Sequence, residues 1–70
     1  MNLNDAQEGR EYIVKNINTN DDELNAFLFS LGCYEGESLK LVSHISGGSI
    51  ISVKDVRYAI DTRLAKAILI

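Results

Sequence analysis

Proline and tryptophan are absent from these 70 residues, and cysteine, histidine and methionine occur once each. Each shortage excludes something. A lone cysteine, Cys33, cannot close an intramolecular disulfide, which fits a reducing compartment. Cys33 and His44 together fall short of the four protein ligands of a structural zinc site and the three of a catalytic one. The expectation is therefore a strand histidine and a turn cysteine without a metal, and no cofactor. One histidine cannot fill every role in a nucleophile, base and acid set, and Ser43 and Ser46 are near it only in sequence. The run Asp21, Asp22, Glu23 already has a task at a helix start, so no catalytic residues are assigned and the chain is not read as an enzyme. Without tryptophan, and with its three tyrosines spread along the chain, it has no evident aromatic groove for proline-rich peptides. No stretch approaches the ~20 apolar residues of a membrane span. The opening "MNLNDAQEGR" is polar and acidic where a secretory signal needs a basic start and an apolar run. A cytoplasmic protein is expected, one that meets a membrane only through a partner.

What is present describes one small folded body. Hydrophobic residues make up 46% of the chain and the net charge is −3, from ten acidic and seven basic residues. That is the balance of a globular domain rather than a disordered segment, and a single domain over residues 1–70 is expected. The excess of acid disfavours nucleic acid, whose binding rests on Lys and Arg neutralising phosphates. Arg10, Lys15, Lys40, Lys54, Arg57, Arg63 and Lys66 are also scattered. "SGGS" (46–49) lacks the lysine and the following helix of a phosphate-cradling loop, so it reads as a hairpin turn.

The periodicities give an order of elements. "REYIVKNI" (10–17) is β-branched and aromatic after Gly9 and predicts a first strand. "NTNDDELNAFLFSLG" predicts a helix with Asn20 as N-cap and Glu23 as its capping-box partner. Leu24, Phe27, Leu28 and Leu31 form its apolar stripe and Gly32 its left-handed cap. Gly36 then permits a tight return, and "ESLKLVSHI" alternates, with Leu39, Leu41 and Ser43 on one face and Lys40, Val42 and His44 on the other. "IISVKDVRYAID" predicts two strands broken near Lys54-Asp55. In the tail, Leu64 and Ala65 can start a helical turn, and Ala67 to Ile70 reads as a closing strand. The expected fold is mainly β: a small SH3-like barrel of about five strands, closed to avoid open edges, with one α-helix after the first strand.

The ordered positions Leu28, Leu31, Gly32, Gly36, Leu39, Leu41, Val42, Gly48, Ile50, Val53, Ala59, Ile60, Leu64, Ala65, Ile68 and Ile70 resemble the FeoA family of small bacterial proteins associated with ferrous iron uptake. The resemblance spans essentially the whole chain. It departs from the family where "NAFLFS" lacks basic residues before Leu-Gly, where Glu35 replaces a proline, and where Asp61 and Thr62 follow Ala-Ile. The resemblance implies an SH3-like barrel and an accessory role for the FeoB-type membrane iron transporter, which carries a cytosolic GTP-binding domain. The barrel is also similar to the C-terminal domain of iron-dependent repressors, which implies an alternative: a regulatory module associated with a metal-dependent transcriptional repressor.

With no catalytic set, partner contact is the remaining sharp expectation. Phe29 lies off the helix stripe and is followed by Cys33 and Tyr34, an aromatic cluster of the kind that seeds interfaces. Arg57 and Tyr58 on a late strand are a second candidate surface. Small barrels with an unpaired strand edge also self-associate, so a weak homo-oligomer is the further expectation.

Overall fold

The computed structural model describes residues 1–70, and its backbone forms two antiparallel sheets that enclose one core. Strands β1 (Glu11–Ile13), β3 (Ser38–Ile45), β4 (Gly48–Val53) and β5 (Val56–Asp61) form a four-stranded sheet in the order β1-β3-β4-β5, while β2 (Asn16–Ile17) pairs with β6 (Ile68–Leu69). Helix α1 (Asp22–Leu31) follows β2, and a short helix α2 (Thr62–Ala67) precedes β6. The body is thus mainly β, but with six strands in two sheets. The expectation of one five-stranded barrel with a single helix is corrected in two ways: α1 follows the second strand, and the ambiguous tail does contain a helix.

The predicted first strand divides because its middle is claimed from two sides. Val14 donates its N–H to the Glu37 carbonyl (2.9 Å) and accepts from the Gly36 N–H (2.9 Å), whereas Lys15 donates to Leu69 (2.8 Å). Val14 is buried, so the bend it makes is filled by its own side chain.

Helix α1 is capped by Asp21, one residue later than expected. Its Oδ1 accepts from the N–H groups of Glu23 (2.9 Å) and Leu24 (3.3 Å). A carboxylate in that place meets two orphan donors and the positive end of the helix dipole, which the neutral Asn20 cannot match. Gly32 ends the helix at φ +87°. Its N–H donates to Phe29 (3.0 Å) and that of Cys33 to Leu28 (2.9 Å), the Schellman pattern that a left-handed glycine permits.

In β3, Leu41 pairs with Ile51 but Ser43 with Ile50, so Val42 is an extra, bulged residue. The bulge changes the side-chain phase. Leu39 and Leu41 enter the core as expected, but Ser43 does not continue their face; His44 does, opposite Ser49. The β3–β4 hairpin turns through Ser46-Gly47, between Ile45 and Gly48. Gly48 is required for a different reason: a Cβ there would lie 2.0 Å from the Ile60 carbonyl oxygen on β5. The β4–β5 turn uses Lys54 and Asp55 at φ +51° and +66°, a left-handed pair that Asn-Gly occupies at less cost.

The core gathers Leu3, Val14, Leu28, Cys33, Leu39, Leu41, Ile51, Val53, Ala65 and Ile68 from nearly every element. At its closing seam, Ile70 donates its N–H to the Met1 carbonyl at 2.9 Å.

Two substitutions test the turn analysis by urea unfolding. Gly48→Ala should cost at least about 3 kcal/mol, since backbone blocks the new methyl group, while Gly47→Ala should cost only the ~1 kcal/mol of a left-handed alanine. Replacing Lys54-Asp55 by Asn-Gly should stabilise by about 1 kcal/mol; equal effects of the two glycine variants would refute the assignment.

Candidate interaction surface

Helix α1 meets the core mainly through Leu28, its one fully buried residue, helped by the partly buried Leu24. Each helical residue advances about 100°, so Phe29 turns away from the core where Leu28 enters it, and is 65% exposed. The Schellman turn carries the chain back beside the last helical turn. Tyr34 thereby stacks on Phe29, with centroids 4.7 Å apart and planes at 28°. Phe27, expected in the core stripe, is instead 44% exposed. Leu28 and Cys33 already fill the space beneath the helix end, and the ten-residue helix lies on the core along a narrower stripe than its sequence suggests.

Cys33 is corrected as a surface residue: it is 1% exposed and belongs to the core. Burial pushes its thiol from the ordinary 9.0 up to about 11. The surface it was grouped with is therefore Phe29 and Tyr34. The segment that carries it, residues 16–39, holds acids and no Lys or Arg, but the Lys54 side chain, from the β4–β5 turn, lies close to Gly32 beside it.

Arg57 and Tyr58 do not form one surface. As strand neighbours they point to opposite faces: Arg57 is exposed, whereas Tyr58 is half-buried and packs on the core. Arg57 instead continues a row across the outer face of the sheet, with Ser52 and Lys40 in register beside it. That row was legible only once the two hairpin turns had fixed the pairing.

The histidine has a structural task that sequence reasoning missed. Its Nε2 lies 2.7 Å from the Ala6 carbonyl and its Nδ1 3.3 Å from the Ser49 hydroxyl, and its backbone N–H donates to Glu8 Oε2 at 2.8 Å. A carbonyl only accepts, so Nε2 carries the proton and Nδ1 receives that of Ser49. Ser49 is the one fully buried polar side chain, and this bond satisfies it. His44 thus ties the N-terminal segment to the end of the sheet. Cys33 and His44 are both occupied, and no three His, Cys, Asp or Glu side chains converge on one point.

An open groove of about 840 Å³ runs between the loop entering α1 and helix α2. Asp21 and Asp22 stand on its lining with Arg63 and Lys66. It is shallow and polar, without the enclosed apolar walls of a small-molecule site. No helix is long and apolar enough to cross a membrane.

Two small antiparallel sheets closed around one core, with the distinctive chemistry on the outside, define an SH3-like module. The chain belongs to the FeoA domain family, whose model matches residues 1–70, and this gives it an accessory role in ferrous iron transport. Among solved structures it is similar to an iron uptake regulatory protein (FeoA), at 32% identity and TM-score 0.83, covering 94% of this chain and 86% of that one. It is also similar to the FeoA of Stenotrophomonas maltophilia, a procaryotic SH3 domain protein complexed with zinc, at 20% identity and TM-score 0.84 over 99% and 87% of the two chains. A manganese-dependent transcriptional repressor shares the fold at 17% identity and TM-score 0.87, over 97% of this chain but 39% of that one. A comparison with curated proteins returned no match.

The buried thiol gives a pH test. Below about pH 9 both folded and unfolded chains keep the Cys33 proton. Between 9.0 and about 11 only the folded chain keeps it, so stability falls as pH rises through that window. The loss should reach about 2–3 kcal/mol, and Cys33→Ala should remove it; an unchanged profile in that variant would refute the burial argument.

Proposed function

We propose that this protein acts in the cytoplasm by docking on the cytosolic part of a FeoB-type, GTP-dependent ferrous iron transporter, and modulates it by contact without chemistry of its own. The observation that carries this reading is the stacked Phe29–Tyr34 pair, held outward by a rigid helix cap in a chain of this family. Aromatic side chains fixed in place lose little freedom on binding, which is why they dominate interface energetics. Such a contact would bias the transporter's conformation or its nucleotide cycle.

The alternative reading is association with a metal-dependent transcriptional repressor, supported by the shared fold of the manganese-dependent protein. Co-purification separates the two, since one partner carries a GTP-binding domain and the other binds DNA.

The direct test is titration calorimetry of this chain with the transporter's purified cytosolic region. Binding in the micromolar range is expected. Phe29→Asp combined with Tyr34→Ala should weaken it at least tenfold, about 1.4 kcal/mol, while leaving the fold unchanged by circular dichroism. Heat-free mixing at about 100 µM of two folded proteins would count against the transporter as partner.

A further inference from the structure

Strand β5 lies at one end of the four-stranded sheet, so one of its sides has no neighbouring strand. The opposite edge, β1, has only three residues, whereas β5 has six. None of the backbone hydrogen bonds made outside the helices and sheets involves residues 56–61. Natural edges are blunted by proline, a bulge, inward-pointing charges or charged side chains, and of these the edge carries the charges of Arg57 and Asp61, one of each sign. The sequence "VRYAID" has no proline, its pairing with β4 runs from Val53–Val56 to Gly48–Asp61 without a shift, and its inward residues are Tyr58 and Ile60.

The backbone groups that face outward can be identified. A two-residue turn such as Lys54-Asp55 closes on a hydrogen-bonded pair, here Val53 and Val56. Bonding then alternates along the strand, so Val56, Tyr58 and Ile60 bond to β4. Arg57, Ala59 and Asp61 direct their peptide groups to the open side. Their side chains also share the exposed face.

We infer that β5 pairs antiparallel with β5 of a second copy of this chain, about a two-fold axis at Ala59. In that register each Ala59 N–H donates to the other Ala59 carbonyl, and each Asp61 N–H donates to the partner copy's Arg57 carbonyl. Arg57 of each copy stands opposite Asp61 of the other, which places two opposite-charge pairs on the solvent face. Asp61 Oδ1 accepts from the Leu64 N–H at 2.8 Å, so its second oxygen remains for the guanidinium. The neighbouring registers are disfavoured by charge. Centring on Arg57 or Asp61 sets like charges face to face, centring on Tyr58 brings Asp61 opposite Asp55, and centring on Ile60 carries Arg57 past the strand end, where helix α2 begins, and leaves its charge without a strand partner. Only the Ala59 register matches unlike charges, and cross-strand pairs of like charge are destabilising.

Sedimentation velocity over about 10 µM to 1 mM tests the inference, a range suited to a small interface. The native chain should shift from monomer towards dimer with concentration. Arg57→Glu alters an exposed side chain, so the fold should persist, and it should weaken association at least tenfold, as two unlike pairs become like pairs. Ala59→Pro removes the central donor and should abolish the dimer. In a Cys33→Ala background, Ala59→Cys should cross-link into a dimer under mild oxidation, and Lys40→Cys should not. A native chain that stays monomeric to about 1 mM, or a dimer unaffected by Arg57→Glu, would overturn the proposal.

Discussion

Two adjacent peptide groups, those of Val14 and Lys15, bond in opposite directions, and the closed body depends on that divergence. One turns to the return after α1, through Glu37 and Gly36, and the other to the closing strand, through Leu69. Were Lys15 to bond within the first sheet rather than to Leu69, residues 10–17 would stay in that one sheet. The two sheets would then share no corner, and the core would lie open on one side. In a chain this short, where folding buries only about 60% of the surface that unfolding exposes, an open side would be hard to sustain. The buried side chain of Val14 occupies the bend, so a hydrogen-bond choice and a packing choice reinforce each other at one residue.

Much of this body was legible in the sequence, and the parts that were not share a cause. Local signals read well. The αL glycine at Gly32, the alternation of Leu39 and Leu41, and the interruption at Lys54-Asp55 all depend on a few neighbouring residues. Signals that depend on distant partners read poorly. Nothing near Val42 announces a bulge, because the extra residue is defined only against Ile51 and Ile50 across the sheet. That one slip placed His44 with Lys40 when it belongs with Ser49. The first strand looked continuous because β propensity does not record which sheet a residue joins. The cap moved from Asn20 to Asp21 for a smaller reason: three consecutive residues could all cap, and geometry chose the one whose carboxylate reaches two donors.

The candidate surface was legible to the same degree. Phe29 was identifiable from its angle to the helix stripe, and Tyr34 from its place just after the cap. Cys33 was misassigned because it sits between them in the chain, yet a Schellman turn directs the residue after its glycine inward, against the helix. Phe27 was expected in the core because the stripe was taken at full width, whereas the short helix rests on Leu28 and Leu24. The pattern of acids has a similar lesson. Residues 16–39 hold no Lys or Arg, yet the fold brings basic groups to them from elsewhere, Arg63 and Lys66 beside Asp21 and Asp22 and Lys54 beside Gly32.

The seam between Met1 and Ile70 has a consequence for how such a body can be used. The backbone enters and leaves the fold side by side, joined by one hydrogen bond and a bridge between Asn2 and Leu69. A host polypeptide could carry the whole unit as an insertion at a surface loop, with its own flanking strands or helices kept at their original spacing. A circularly permuted form, opened at a hairpin tip and sealed across this seam, would need only a few linking residues.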